Sequence, residues 1–434
     1  MSPSPTSQTA ANPSIAANKP RKRIAIAAFA VFVAAIIVAS VAAYAFAHSN
    51  HAENAPAIDA ADDNDLRREY RRPIVAAGGS HSFALDESGR LYAAGDNDSG
   101  QLGLGDEDNR DAFTEVADLS AKEIVAISAG DSHSLAIDAN GKLYAAGGNA
   151  FDQLGLFDAF FGDRKRFTRF AKVPFASKVS AVAAGWTHSF AIADGKVYAA
   201  GWNYGQLGLG DEDDRWKFAE IASLNGKKIV AVAAGGFHTL ALSADGKVYA
   251  AGRNGHGQLG LDDNLSRETF ELVALMSDKN ITQIAAGNYH SLALDADGRL
   301  YAAGRNYFGQ LGLDDEDDRW KFAEIASLNG KKILAIAAGD SHSLALDADG
   351  KVYGTGDNDF GQLGLGEMRD RNVWTLAPPF SEKKIAWIAA GVRHSLALDE
   401  SGKVYAAGNN YEGQLGLSVA DDRRVFTLVP LPNR

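Results

Sequence analysis

No cysteine occurs among the 434 residues, which excludes disulfides, thiolate metal sites and cysteine nucleophiles. Positive charge is also scarce: 43 Lys and Arg stand against 55 Asp and Glu, a formal net charge of −12. The repeats described below carry no basic stripe, so nucleic acid is not expected as a partner. The signature motifs of catalysis are missing too, with no G-x-S-x-G elbow, no H-E-x-x-H and no P-loop. Acidic residues are plentiful, yet nothing singles out one pair as a glycosidase-like couple. The expectation is a protein without enzymatic activity and without a cofactor.

Long apolar runs are absent except for one. Ile24 to Ala47 is uncharged throughout, long enough to cross a bilayer as a helix, and preceded by Lys19, Arg21, Lys22 and Arg23. The chain after it is acidic (Glu53, Asp59, Asp62, Asp63, Asp65), so the positive-inside bias places the N-terminus in the cytoplasm and the remainder outside. Residues 1–23 read as a disordered cytoplasmic tail, 24–47 as a transmembrane signal anchor, 48–70 as an acidic linker, and 71–434 as one folded domain. Ala45-Phe46-Ala47 also fits a small-x-small cleavage pattern, and the alternative is secretion after cleavage near Ala47.

What fills the domain is repetition. The stretch G-D-S-H-S-L-A-L-D-A-D-G-K-V-Y-G-T-G-D-N-D-F-G-Q-L-G-L-G, from Gly339 to Gly366, has six other versions. Their motif histidines are His81, His133, His188, His238, His290, His342 and His394, spaced by 52, 55, 50, 52, 52 and 52 residues. A fixed period of this length marks units that cannot bury their apolar faces alone. Each period holds an apolar run such as Ile333 to Ala338, an alternating run Ser343 to Asp347, an Asp-Gly hairpin signal leading into Lys351-Val-Tyr353, and a later strand such as Phe322 to Ile325. Four short strands repeated seven times, with no helical period, predict an all-β fold, a seven-bladed β-propeller. The first copy starts without a preceding strand and the last ends on Val425 to Val429, so the surplus strand is expected to complete the deficient blade.

The signatures A-G-x-x-H-S-L-A-L and G-x-N-x-x-G-Q-L-G closely resemble the repeats of the RCC1 family (regulator of chromosome condensation), over all seven copies from about Pro73 to Arg434. The resemblance implies a propeller. Its founding member is a nuclear guanine-nucleotide exchange factor, a role that does not suit an exported domain. Exported bacterial members, which use the repeat as a rigid binding platform, are the nearer analogue. Two departures stand out. Where the family usually has Trp this chain has Ala94, Ala146, Ala200, Ala251, Ala303, Thr355 and Ala407, so packing between blades must differ. In the second copy Asp152 replaces a motif glycine.

Symmetry-related histidines in such a ring lie too far apart to share a metal ion, so each is expected to pair a backbone group near its own turn. The motif asparagines (Asn97, Asn149, Asn203, Asn254, Asn306, Asn358, Asn410) and glycines read as turn formers, tolerating positive φ. The acidic loops, such as Asp106 to Asp108 and Asp314 to Asp318, lack the spacing of a calcium loop and read as solvated turns paired with nearby arginines. No metal is expected. An arginine sits three residues before an aromatic in every copy, from Arg110/Phe113 and Arg164/Phe167 to Arg423/Phe426.

Function is left to the positions that vary. In a meander the A-G-x-x-H turns and the G-x-N-x-x-G turns share one face, with the Asp-Gly hairpins on the other. Aromatics concentrate on the first face, and Trp and Tyr at loop tips are what binding anchors favour. The candidate partner-binding residues are Trp186, Trp202, Tyr204, Phe237, Tyr289, Tyr307, Phe308, Phe360 and Tyr411, with acidic residues (Asp96, Asp98, Asp131, Asp340, Asp357, Asp359) toward the seam between copies six, one and two. The expected function is extracytoplasmic protein–protein interaction, with a protein or cell-envelope component as partner. Envelope-glycan binding or hydrolysis, and an exchange-factor-like role, are the alternatives.

Overall fold

The computed structural model describes residues 73–156, 166–173, 175 and 177–432, with strand backbone but no side-chain placement over 166–171. The anchor, tail and linker expected within residues 1–70 lie outside the described residues, as does the Arg164/Phe167 pair. Seven antiparallel sheets, each of four strands consecutive in sequence, form the blades. Blade 1 comprises Ile74–Ala77, His81–Leu85, Leu91–Gly95 and Arg110–Glu115; blade 7 comprises Ile385–Ala390, His394–Asp399, Val404–Gly408 and Arg423–Val429.

The expected strand exchange does not occur. Arg423–Val429 pairs with Val404–Gly408 of its own blade, and blade 1 is complete without it. Every unit ends on its own outer strand, so no surplus strand is left over. The ring closes by side contacts: Val392 N donates to Gly78 O at 3.1 Å, Trp387 Nε1 to Val75 O at 3.1 Å, and Ser418 N to Asp111 O at 2.7 Å.

Local chemistry dictates each blade. At the hairpin of blade 6, Gly350 takes φ +79°, and Asp347 Oδ1 accepts the amides of Asp349 and Lys351, both at 2.9 Å. Tyr353 Oη donates to the other carboxylate oxygen at 2.9 Å, locking the turn to the next strand. Between blades, the alanines standing where the family places Trp are fully buried, and an outer-strand aromatic completes the packing. Phe270 of blade 4 lies so close over Gly208 of blade 3 that no Cβ fits there, and Phe322 covers Gly260 in the same way.

The motif histidines do not pair with their own turns. Their partner is a hydroxyl on the next blade: His81 Nε2 meets Ser134 Oγ at 2.9 Å, His290 meets Ser343 at 2.9 Å, and His394 closes the circle on Ser82 at 2.9 Å. That serine donates its own proton back, as Ser343 Oγ does to Gln310 O at 2.8 Å. A hydroxyl has one proton, so it accepts from the ring, and the imidazole carries its proton on Nε2. His188 is the exception. It faces Thr239 rather than serine, and neither of its ring nitrogens has a partner.

The motif asparagines hold their own turns, as expected, but without positive φ. Each accepts an amide of its own turn, and all but Asn149, whose loop lies outside the described residues, reach outward to the following loop. Asn306 takes Leu311 N at 2.9 Å and gives Nδ2 to Asp315 O at 2.8 Å. Positive φ falls on the glycine that follows, such as Gly309 at +76°, and in blade 2 on Asp152 at +60°.

Burial holds the motif rings neutral, their pKa dropping to about 3, or about 4 for His238 and His394. An unfolded chain takes up these protons near 6.5, so the neutral rings stabilise the fold fully above that pH and the contribution is lost as pH falls. At pH 5 the linkage is about 2 kcal/mol per ring. The melting temperature should therefore drop steeply between pH 6.5 and 5; a flat profile from pH 7.5 to 5 would contradict the neutral rings. Ser343→Ala, which orphans both His290 Nε2 and Gln310 O, should cost about 2–3 kcal/mol in urea unfolding. Thr239→Val, at the junction without the histidine bond, should cost only about 1 kcal/mol.

Candidate functional site

Meander topology puts the A-G-x-x-H turns of all seven blades around one mouth of the central channel, which is lined by Gly79, Asp131, Trp186, Gly236, Asn288, Asp340 and Val392 and their neighbouring glycines. The two residues between the glycine and histidine of each turn differ in side chain from blade to blade, while the backbone amide of the first of them reaches the next blade at most junctions, as Val392 N does. The G-x-N-x-x-G turns form a second circle outside the first. The face anticipated from the repeat pattern is therefore present.

On blades 2 to 5 the aromatics of the two circles join into one plate. Phe151 stacks on Trp202 with centroids 4.7 Å apart and planes 7° from parallel, and Trp202 meets Tyr204 at 4.6 Å. Phe237 lies at the centre, 5.3 Å from Trp186, 6.4 Å from Tyr204 and 5.7 Å from Tyr289. Most of these rings are half-buried because they cover one another, which leaves the outer surface of the plate open. Tyr307 and Phe308 make a T-shaped pair at 4.9 Å beside it. Phe360 and Tyr411 stand apart, on blades 6 and 7, and Tyr411 is 79% exposed.

Arginines tie the plate together, a feature missed in the sequence because each arginine precedes a motif Asn or His and looks like turn filler. The Arg253 guanidinium lies 4.3 Å from the Tyr204 ring centre and 4.8 Å from that of Phe237. Arg305 bridges Tyr289 at 5.9 Å and Tyr307 at 5.5 Å, and Arg393 covers Phe360 at 4.9 Å. His256 contributes an edge to Tyr289 at 5.3 Å and a 2.8 Å contact from Nδ1 to Asp318 of the next blade.

The other half of the face is acidic. Asp340, Asp357 and Asp359 on blade 6 continue through Glu412 on blade 7 to Asp96 and Asp98 on blade 1 and Asp131 on blade 2. The turns around Asp131 screen it from water on most sides although its side chain opens to the mouth. That enclosure raises its pKa, with Asp96 and Asp340 adding to the effect. Enclosure and then like charge likewise raise Asp96, Asp357 and Glu412. At the same mouth Asn288 is buried, and its Oδ1 receives no hydrogen bond.

The acidic loops are taken up by arginines four residues on, as expected: Arg110 with Asp106 at 2.7 Å, Arg215 with Asp211 and Arg267 with Asp263 at 2.6 Å, and also Arg319 with Asp315. Among the described residues one carboxylate group converges, with Asp357, Asp359 and Asp370 oxygens within 4.8 Å of one another at the exposed edge.

Comparison with known proteins gives this geometry a lineage. The family model of the RCC1-like domain matches residues 170–434, and models of the regulator of chromosome condensation (RCC1) repeat match residues 88–137, 74–101 and 124–153. The ultraviolet-B receptor UVR8 of Arabidopsis thaliana is 33% identical over 357 residues, covering 81% of this chain and 80% of the receptor. The human E3 ubiquitin-protein ligase HERC2 is 31% identical over 337 residues, 76% of this chain but only 7% of the ligase. Among solved structures, Prp20p from Saccharomyces cerevisiae, described with its binding properties to Gsp1p and histones, superposes with a TM-score of 0.70 at 25% identity, covering 79% of this chain and 86% of that one. Human WBSCR16, at 22% identity and a TM-score of 0.72 over 79% of this chain and 95% of its own, shares the fold. With an RCC1-like domain over more than half its length and the repeat before it, the chain belongs to the regulator of chromosome condensation (RCC1) repeat family.

Proposed function

We propose that this chain is a non-enzymatic protein-interaction module that binds its partner on the aromatic face, displayed outside the cytoplasm by a single-pass anchor at residues 24–47. The observation that carries the binding role is the plate itself. Interlocked rings with an open outer surface are a costly arrangement for loop tips, and Trp and Tyr held rigid by neighbours are what energetic hot spots are made of. One relative supports the binding role: Prp20p, the yeast RCC1, is described by its binding properties to Gsp1p and histones and is also described bound to Kap60. The export half of the proposal rests on the uncharged run of Ile24 to Ala47 and the basic residues before it.

Affinity capture from the envelope fraction of the native host tests the first half, using the full-length chain beside a Trp186→Ala/Tyr289→Ala variant. With anchors worth on the order of 2 kcal/mol each, the wild type should retain a partner that the variant loses. Equal retention by both would remove the plate from the reading. Protease added to intact cells should digest the repeats and spare the N-terminal tail; protection of the repeats would place them in the cytoplasm instead.

A further inference from the structure

The face that carries the plate is electrically lopsided, and this asymmetry narrows what can lie on it. Blades 3 to 5 supply aromatic rings with Arg253 and Arg305 over them, while blades 6, 7, 1 and 2 supply a crescent of carboxylates that curves around the same mouth. The carboxylates outnumber the arginines of this face, and Arg393 on blade 7 offsets only part of the crowding at Asp357. Asp131, Asp96 and Asp340 oppose one another across the mouth, and Asp357 opposes Asp359 and Asp370. By contrast, the loops at the rim pair nearly every leading carboxylate with an arginine four residues on. The chain thus has a recurrent device for neutralising its acids and leaves it unused on this face.

A second, uncharged observation points the same way. Asn288 lies where the two halves meet, next to Tyr289 of the plate and bonded through its amide to Asp340 O at 3.3 Å. Its Oδ1 is a buried acceptor with no donor from the chain. An acceptor left without a donor costs about 1–3 kcal/mol, so the boundary between the two halves carries a polar group that the chain itself leaves unsatisfied. A second copy of this chain is a poor occupant: it brings the same acid excess, and each copy carries a formal charge of −12.

Building on the reading that the plate binds protein, we propose that the face docks a Lys/Arg-rich segment of a partner protein. Its cationic side chains lie along the acidic crescent and its apolar side chains on the rings of blades 3 to 5. Charge complementarity supplies orientation and encounter rate, and the plate supplies the lasting contact.

The test is selection from a displayed random dodecapeptide library on the immobilised full-length chain in detergent. Selected peptides should contain Lys and Arg at least twofold above the starting pool, alongside aromatic residues, and be released by raised salt. Asp131→Asn/Asp340→Asn should abolish the basic enrichment without lowering the melting temperature, because the substitution relieves like-charge crowding and keeps the side-chain shape. No basic enrichment, or enrichment indifferent to the double substitution, overturns the proposal. Apolar peptides lost with Trp202→Ala/Tyr289→Ala would preserve the plate as a protein site while refuting the basic partner. Selection unchanged by either pair removes both readings. Sedimentation velocity forms the last arm: a dimer dissolved by Asp131→Asn/Asp340→Asn would give the face to a second copy and overturn the basic partner.

Discussion

Everything in this propeller depends on how closely adjacent blades approach at the axis. The glycine before each motif turn sits against the carbonyl of the equivalent glycine one blade on, from Gly78 against Gly130 around to Gly391 against Gly78. A Cβ at any of these seven positions would come within 3.0 Å of that oxygen and of the blade's own imidazole. These glycines do not have positive φ, so what selects them is proximity and not backbone freedom. Once the backbones are that close, a histidine can reach the next blade's serine and the serine can reach back. The result is a ring of such bonds at six of the seven junctions, interrupted between blades 3 and 4. Such a ring makes an exchanged terminal strand unnecessary, because blade 7 grips blade 1 through the same bond, His394 to Ser82, that joins five other junctions.

That constraint also decides where variation is allowed. In each inner turn the glycine is fixed by proximity, and in six of the seven the histidine by its bond to the next blade, so variation falls on the side chains of the two residues between them. The outer turns are similar: Asn and Gln hold the loop, the glycine before Gln is buried, and the two positions after Asn, such as Tyr307 and Phe308, vary. Fourteen short segments of unconstrained sequence therefore open onto one face of a rigid ring. Aromatics gathered there on blades 2 to 5, and acids on blades 6, 7, 1 and 2, are choices the scaffold does not impose.

Much of this was legible in the chain because repetition makes position readable. The period located the blades, the Asp-Gly signals located the hairpins, and meander topology assigned Trp186, Trp202, Tyr204, Phe237 and Tyr289 to a shared face. The parts that were not legible depend on distances between blades. His290 finds its partner at Ser343, 53 residues away, and a single repeat read by itself offers only its own turn as a candidate. Arg253 and Arg305 look like ordinary turn residues until the neighbouring blade's rings are placed beneath them. Tyr411 and Phe360 looked equivalent to the other aromatics in the motif, but the plate ends before it reaches their blades.

The unpaired His188 has a consequence for the ring as a mechanical object. Six junctions carry the imidazole–hydroxyl bond, and the seventh, between blades 3 and 4, does without it. That is also the junction spanned by Trp186 and Phe237, and by Arg253 lying over Tyr204. The circle thus has a soft seam, held at the surface by the same rings that form the plate. Anything that presses on the plate also clamps this seam, so occupancy of the face and resistance of the ring to parting are coupled through one joint.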